Sequence, residues 1–201
     1  MSETLDLWDY RRRVDEIYRN VREGGPGRLI WSAWTRDRDD LFATHPQSPI
    51  EDRAMFAGLI YFPYDPAWRT VGHFIPVEDE ATLLETTAVG TAQFFRAGVV
   101  EFEVNGHRGA LEILWLDAYG GGLFLPFRDA SNGQTTYGGG RYLLDTVKGA
   151  DLGHDGDRVV LDFNYSYHPS CVHSDRWSCP LAPPANALDF AVEAGERLFP
   201  G

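Results

Sequence analysis

Three segments of the chain concentrate side chains that can bind anions or move protons. The first, Gly120-Gly121-Gly122-Leu123-Phe124-Leu125-Pro126-Phe127-Arg128-Asp129, ends in an arginine beside a carboxylate. The second is Thr136-Tyr137-Gly138-Gly139-Gly140-Arg141-Tyr142, and the third is Asp162-Phe163-Asn164. Consecutive glycines carry no side chain to block a ligand's approach, and successive N–H groups in such a turn can form an anion nest. Arg128 and Arg141 would add charge-assisted hydrogen bonds to a carboxylate or phosphate. Asp129, Asp145 and Asp162 could supply acid or base chemistry if they met in a cleft. The ligand-binding candidates are therefore Arg128, Asp129, Tyr137, Gly139, Arg141, Asp162 and Asn164. The competing reading makes residues 138–140 a bulge or tight turn leading into a strand, with Arg141 paired to Asp129 or Asp162. The turn is not a P-loop, because the Gly-Lys-Ser/Thr ending is missing.

A loop over residues 165–179 holds His168, Cys171, His173 and Cys179, all of them zinc-ligand types. Their spacing matches no standard finger. No metal and no cofactor is expected, zinc on Cys171 and Cys179 being the alternative. A disulfide between them is disfavoured in a reducing cytoplasm, and two buried thiols packing as small hydrophobes is the plain alternative. No catalytic residue is assigned. The chain has no G-x-S-x-G elbow and no H-E-x-x-H. The nearness of His168 and His173 to Cys171 in sequence does not by itself make a Cys–His pair.

The elements that must position these residues follow from periodicity. Leu7, Tyr10, Val14, Ile17, Tyr18 and Val21 recur at helical steps, with Ser2 or Thr4 as the cap and Gly24-Gly25-Pro26-Gly27 as the stop. A second helix carries Ile30, Trp34, Leu41 and Phe42 on one side and ends at Pro46. Ser48-Pro49-Ile50-Glu51 reads as a capping box opening a third helix over 49–56. Beyond it the period becomes alternating. Strands are expected at 59–62, 70–75, 85–95, 99–104, 107–116, 123–127, 141–144, 158–163 and 187–192, with a turn at Ala97-Gly98. Asn105-Gly106 between alternating runs is a hairpin signal, because both positions tolerate positive φ. The helices are too few to alternate with strands. The expected fold is mainly β (α+β): an antiparallel β-sandwich or barrel-like core with two to three N-terminal helices packed on it. It forms one domain over 1–201, with a helical segment 1–56 and a β-rich core 57–201.

Composition narrows the partners. With 201 residues and 43% hydrophobic content the chain can bury one substantial core. A net charge of −12 opposes nucleic-acid binding, which needs a positive footprint. The run Arg11-Arg12-Arg13 sits among acids and reads as a solvated face. Lys148 is the only lysine. An acidic, lysine-poor surface suits a salt-accumulating, halophilic organism. The arginine bias of a GC-rich genome would give the same balance. No run of about 20 apolar residues predicts a membrane span, and the N-terminus lacks a signal-peptide core, so a cytoplasmic location is expected.

Together these motifs resemble the bacterial and archaeal family catalogued as domain of unknown function 1684. The resemblance is carried by Phe42-Ala43-Thr44-His45-Pro46-Gln47-Ser48-Pro49, by Tyr61-Phe62 with Asp65-Pro66, and by Leu123 to Ala130. It continues through Thr136 to Tyr142, Asp162-Phe163-Asn164, Tyr167, Pro169, Cys171, Cys179-Pro180 and Pro183-Pro184. It extends over about residues 34–195. The family pattern before the first cysteine reads Tyr-Asn-Pro-x-Cys, and this chain has His168 at the second position. The resemblance implies no particular activity. It draws attention to polar, glycine and proline residues in loops, where binding and catalysis usually sit. Two functions are expected from these residues. One is a small-molecule site, binding or enzymatic, in the loops, with arginines holding an anionic group. The other is a structural or protein-interaction module in which the same residues form a buried polar network.

Overall fold

The protein's structure, a computed structural model, describes residues 2–87 and 91–198. Helix α1 (Glu3–Gly24) begins where Ser2 Oγ accepts the Leu5 N–H, and it stops at Gly25, whose φ of 71° a side chain would resist. Helix α2 (Arg28–Thr44) ends two residues before Pro46. The helices meet through their apolar stripes, with Tyr18 edge-on to Trp34 at 6.1 Å.

The third helix expected over 49–56 does not form. Ser48 Oγ does accept the Ile50 N–H at 3.1 Å, but it also donates to the Phe42 carbonyl at 2.6 Å, which ties it to the end of α2. Asp52 Oδ1 takes the Ala54 N–H at 3.2 Å. These local side-chain bonds offer the backbone an alternative to the helical ladder, and turns result.

The strands are β1 (Ile60–Tyr61), β2 (Arg69–Glu85), β3 (Thr91–Val104), β4 (His107–Leu116), β5 (Leu123–Phe127), β6 (Arg141–Asp145), β7 (His154–Asp155), β8 (Arg158–Asp162) and β9 (Glu196–Arg197). Seven of them form an antiparallel sheet in the order β6-β5-β4-β3-β2-β8-β7, curled into a half-barrel with the two helices packed on it. β1 and β9 pair separately, Tyr61 opposite Glu196. The β3–β4 hairpin turns at Asn105-Gly106, with φ of 49° and 78°, the two positive values this turn requires. Among the described residues, no helix is long and apolar enough to cross a membrane.

Two expected boundaries shift. The break at Ala97-Gly98 is not a turn but a bulge inside the continuous strand β3. The expected single strand 85–95 is split instead between two antiparallel strands, β2 ending at Glu85 and pairing there with Thr91 at the start of β3, while residues 88–90 lie outside the described residues. The bulge explains the sequence pattern. Phe94, before it, packs under the helices with Leu114 and Phe124. Val100, Phe102 and Val104, after it, pack on the other core with Leu111 and Ile113. One extra residue moves the even-numbered side chains from one face to the other. Segment 187–192 is likewise not a strand. It is an extended strap joined to residues 128–130 through the Leu188 N–H to Arg128 carbonyl bond and the Ala130 N–H to Phe190 carbonyl bond. Leu188, Phe190 and Val192 cover the second core.

Gly98 is fixed by close approach. A Cβ there would lie 2.5 Å from the Ile75 carbonyl oxygen and 2.4 Å from the Phe74 ring. Gly98→Ala is expected to lower stability by about 1–3 kcal/mol through overpacking at the bulge. Urea unfolding of the variant checks this, and wild-type stability would remove the bulge from the account.

Candidate functional site

The loop residues singled out by sequence separate into three places. Arg141 is fully buried at 0% exposure, with its Nη2 2.8 Å from Asp129 Oδ2. The same guanidinium donates to the carbonyls of Val192 at 2.8 Å, Glu196 at 3.3 Å and Ala194. Asp129 Oδ1 accepts the N–H groups of Ser131 at 2.8 Å and Val192 at 3.2 Å. This pair therefore fastens the C-terminal strap to the sheet. Arg128 contributes its backbone to that strap and is half-buried.

The second place holds Asp162 and Asn164. Asp162 Oδ1 accepts the Asn164 N–H at 3.1 Å and its amide at 2.8 Å. The Asn164 amide also exchanges bonds with the Asp65 backbone, at 3.0 and 2.8 Å. Burial raises the Asp162 pKa, opposed by the Asn164 bonds and by Arg69.

The third place is the Tyr137 turn. Its Gly140 N–H is spent on the Tyr137 carbonyl at 3.0 Å. A Cβ on Gly139 would strike the Tyr137 ring at 2.4 Å, and one on Gly140 the Phe127 carbonyl at 2.5 Å. The glycines serve close packing, with Gly140 at φ 98°.

A cavity lies elsewhere, between α1, α2 and the loop after β8. It measures about 50 Å³, room for roughly four water-sized groups. Its wall carries Arg38, Lys148, Tyr10, Tyr167, His168 and Ser170, with apolar residues of both helices. Arg38 is held by Glu196, Nη2 to Oε2 at 2.7 Å, and by Tyr61, Nε to the hydroxyl at 3.2 Å. Its guanidinium carbon stands 4.8, 5.3 and 5.1 Å from the rings of Trp34, Phe42 and Tyr167. Glu196 is 1% exposed. Its Oε2 also accepts the His168 N–H at 3.2 Å, while Oε1 faces His168 Nδ1 at 3.5 Å and His173 Nε2 at 3.6 Å. Burial works against this carboxylate. Arg38 and the two histidines outweigh it and hold the Glu196 pKa well below the usual range. His168 Nε2 accepts the Tyr137 N–H at 3.2 Å, so the ring carries its proton on Nδ1, toward Glu196. Lys148, its side chain 38% exposed, pairs with Asp145 at 2.8 Å. The buried hydroxyl of Tyr167 has no hydrogen-bond partner among the described residues.

Both histidines of the 165–179 loop are thus engaged by Glu196, away from the cysteines. Among the described residues, no group of three or more His, Cys, Asp or Glu is arranged to hold a metal. Cys171 and Cys179 are free thiols.

The fold and these sites define a helix-backed antiparallel half-barrel whose buried polar residues come from α2, from strands β6, β8 and β9 and from the loops between them. The chain belongs to the family described as protein of unknown function DUF1684, whose model matches residues 54–197. It is similar to an uncharacterized protein of Haloarcula marismortui solved in solution by NMR. The identity is 39%, the match covers 85% of this chain and 93% of that one, and the TM-score is 0.60. No curated protein matches the chain.

Sequence reasoning passed over Arg38, Lys148 and Glu196. A signal for Arg38 was present: it lies four residues from both Trp34 and Phe42, inside the apolar stripe of α2, where an arginine must find a partner. Glu196 sits in a short charged stretch near the C-terminus that reads like surface.

Glu196 gives a pH prediction. Its pKa is lowered in the folded state, so the unfolded chain binds the extra proton and stability is lost as pH falls through the folded value. The loss begins near the ordinary glutamate value of about 4.3. The urea midpoint is expected to fall from about pH 5 toward about pH 3, and Glu196→Gln to flatten that slope while costing about 3–5 kcal/mol at neutral pH. A variant with the wild-type slope would contradict the assignment.

Proposed function

We propose that this chain binds a small anionic molecule, of the size of a short-chain carboxylate, in the cavity between α1, α2 and the loop at residues 167–170. One observation carries the reading. Both cations of the cavity, Arg38 and Lys148, stand in its wall, whereas their carboxylate partners Glu196 and Asp145 do not. An anion entering would meet the cations first, with the carboxylates behind them. Nη1 of Arg38 makes no hydrogen bond to the described residues and remains available to such a ligand.

The volume limits the ligand to about four heavy atoms unless the helices part. The apolar lining from Val14, Ile17, Leu41 and Phe42 favours a short alkyl tail over a fully hydrated ion. On this reading the ligand lies apart from the 128–141 segment, where Arg141 and Asp129 bond to each other and to the strap.

The test is a thermal-shift titration with acetate, propionate and phosphate against chloride at matched ionic strength. A ligand at 100 times its Kd adds about 2.7 kcal/mol, roughly 5–10 °C for a chain of this size. The carboxylates are expected to raise Tm with dose. Lys148→Gln should weaken that rise, and Val14→Phe should abolish it by filling the cavity while the unliganded protein stays folded. No rise with any anion, or an undiminished rise in Val14→Phe, would overturn the proposal.

A further inference from the structure

We infer that a neutral primary carboxamide binds in a separate cavity between the C-terminal end of α1, the start of β2 and the end of β8, where Arg69 and Asp162 each keep hydrogen-bonding capacity unused. This cavity also measures about 50 Å³, and it shares no lining residue with the one between the helices. Arg69 and Asp162 stand opposite each other in the β2–β8 pair, so their side chains share one face of the sheet. The Asp162 side chain is 1% exposed. Its Oδ1 is occupied by the N–H and the amide of Asn164, at 3.1 and 2.8 Å. Its Oδ2 accepts no hydrogen bond from the described residues, and Arg69 Nε stands 3.7 Å away, beyond hydrogen-bond reach. The Arg69 guanidinium is half-buried and likewise donates no hydrogen bond to the described residues.

Those two groups define the ligand's chemistry. A buried carboxylate oxygen without a donor is costly, and a ligand that donates to Oδ2 while accepting from Arg69 relieves both sides. The N–H and the carbonyl of a primary amide lie side by side and match an acceptor and a donor set this close. The charges of Arg69 and Asp162 oppose each other. The other cation of the wall is engaged: Arg22 donates to the carbonyls of Gly149 at 3.1 Å and Asp151 at 2.8 Å, and to Asp15 Oδ1 at 3.3 Å. A neutral ligand therefore fits better than an ammonium or a carboxylate.

The rest of the wall limits size and shape. Val21, Pro26, Leu152 and Val160 also line the cavity and suit a short alkyl group beside the amide. The volume admits roughly four water-sized groups, which is the size of acetamide. Water would meet Arg69 and Asp162 equally well but would leave the apolar part of the wall without a partner.

The test is an NMR titration of the isotope-labelled full chain with acetamide, acetone and acetate, read at the backbone amides of Val160, Asp162 and Tyr165. Acetamide is expected to move those signals saturably. Acetone, of the same size but with no N–H for Asp162, and acetate, which the carboxylate repels, should not. The amides near Arg38 report the other cavity separately. Asp162→Asn turns the acceptor into a donor, so preference should pass from acetamide to acetate, a reversal of about tenfold or more in relative affinity. A purely structural role for Asp162 would not reverse it. Arg69→Met, at a side chain 32% exposed, should abolish the acetamide response while the rest of the spectrum keeps its dispersion. Shifts that do not saturate, an equal response to acetone, or wild-type acetamide affinity in either variant would each overturn the inference and leave the cavity to water.

Discussion

A carboxylate at 1% exposure is costly, and the Glu196 side chain is the point on which the rest of this structure turns. Its charge survives burial only because three separate parts of the chain come to it. α2 brings Arg38, and the loop after β8 brings the His168 N–H and ring together with His173. β1 brings Tyr61, whose hydroxyl fixes the Arg38 Nε and whose backbone pairs with Glu196 itself. The helices, the 165–173 loop and the C-terminal strand are therefore registered against one another by a single charge.

The same kind of pair occurs twice, with different outcomes. Arg141 and Asp129 bond to each other and to the backbone of the strap, and both side chains are fully buried. Arg38 is seated among the rings of Trp34, Phe42 and Tyr167, which suit a planar guanidinium and would fit a lysine poorly. The cavity lies beside that guanidinium, between residues of α1, residues of α2 and the loop at 167–170. Its polarity comes from which end of each ion pair faces inward.

Much of the fold was legible because it rests on local rules. Asn105-Gly106 forms the hairpin through positive φ at both positions, and Ser2 and Gly25 bracket α1. The break at Ala97-Gly98 was visible as a change of phase. A bulge and a turn leave the same trace in a single strand's pattern, and only the partner strand β4 distinguishes them. The helix expected over 49–56 failed because Ser48 is tied back to the Phe42 carbonyl and Asp52 takes the Ala54 N–H in a local turn. The site was less legible. Arg128, Asp129, Tyr137, Gly139, Arg141, Asp162 and Asn164 are close in sequence pattern, yet they serve three different junctions. The ion pair beside the cavity joins Arg38 to Glu196 across 158 residues, and no spacing rule announces such a partnership.

The most direct test of this account is a double-mutant cycle on Arg38→Met and Glu196→Gln, followed by urea unfolding at neutral pH. Each single change strands a buried polar partner, so each should cost about 3–5 kcal/mol, and the double variant should cost clearly less than their sum. Additive losses would mean that Glu196 is satisfied without Arg38, and would contradict the claim that this pair organises the junction and its cavity.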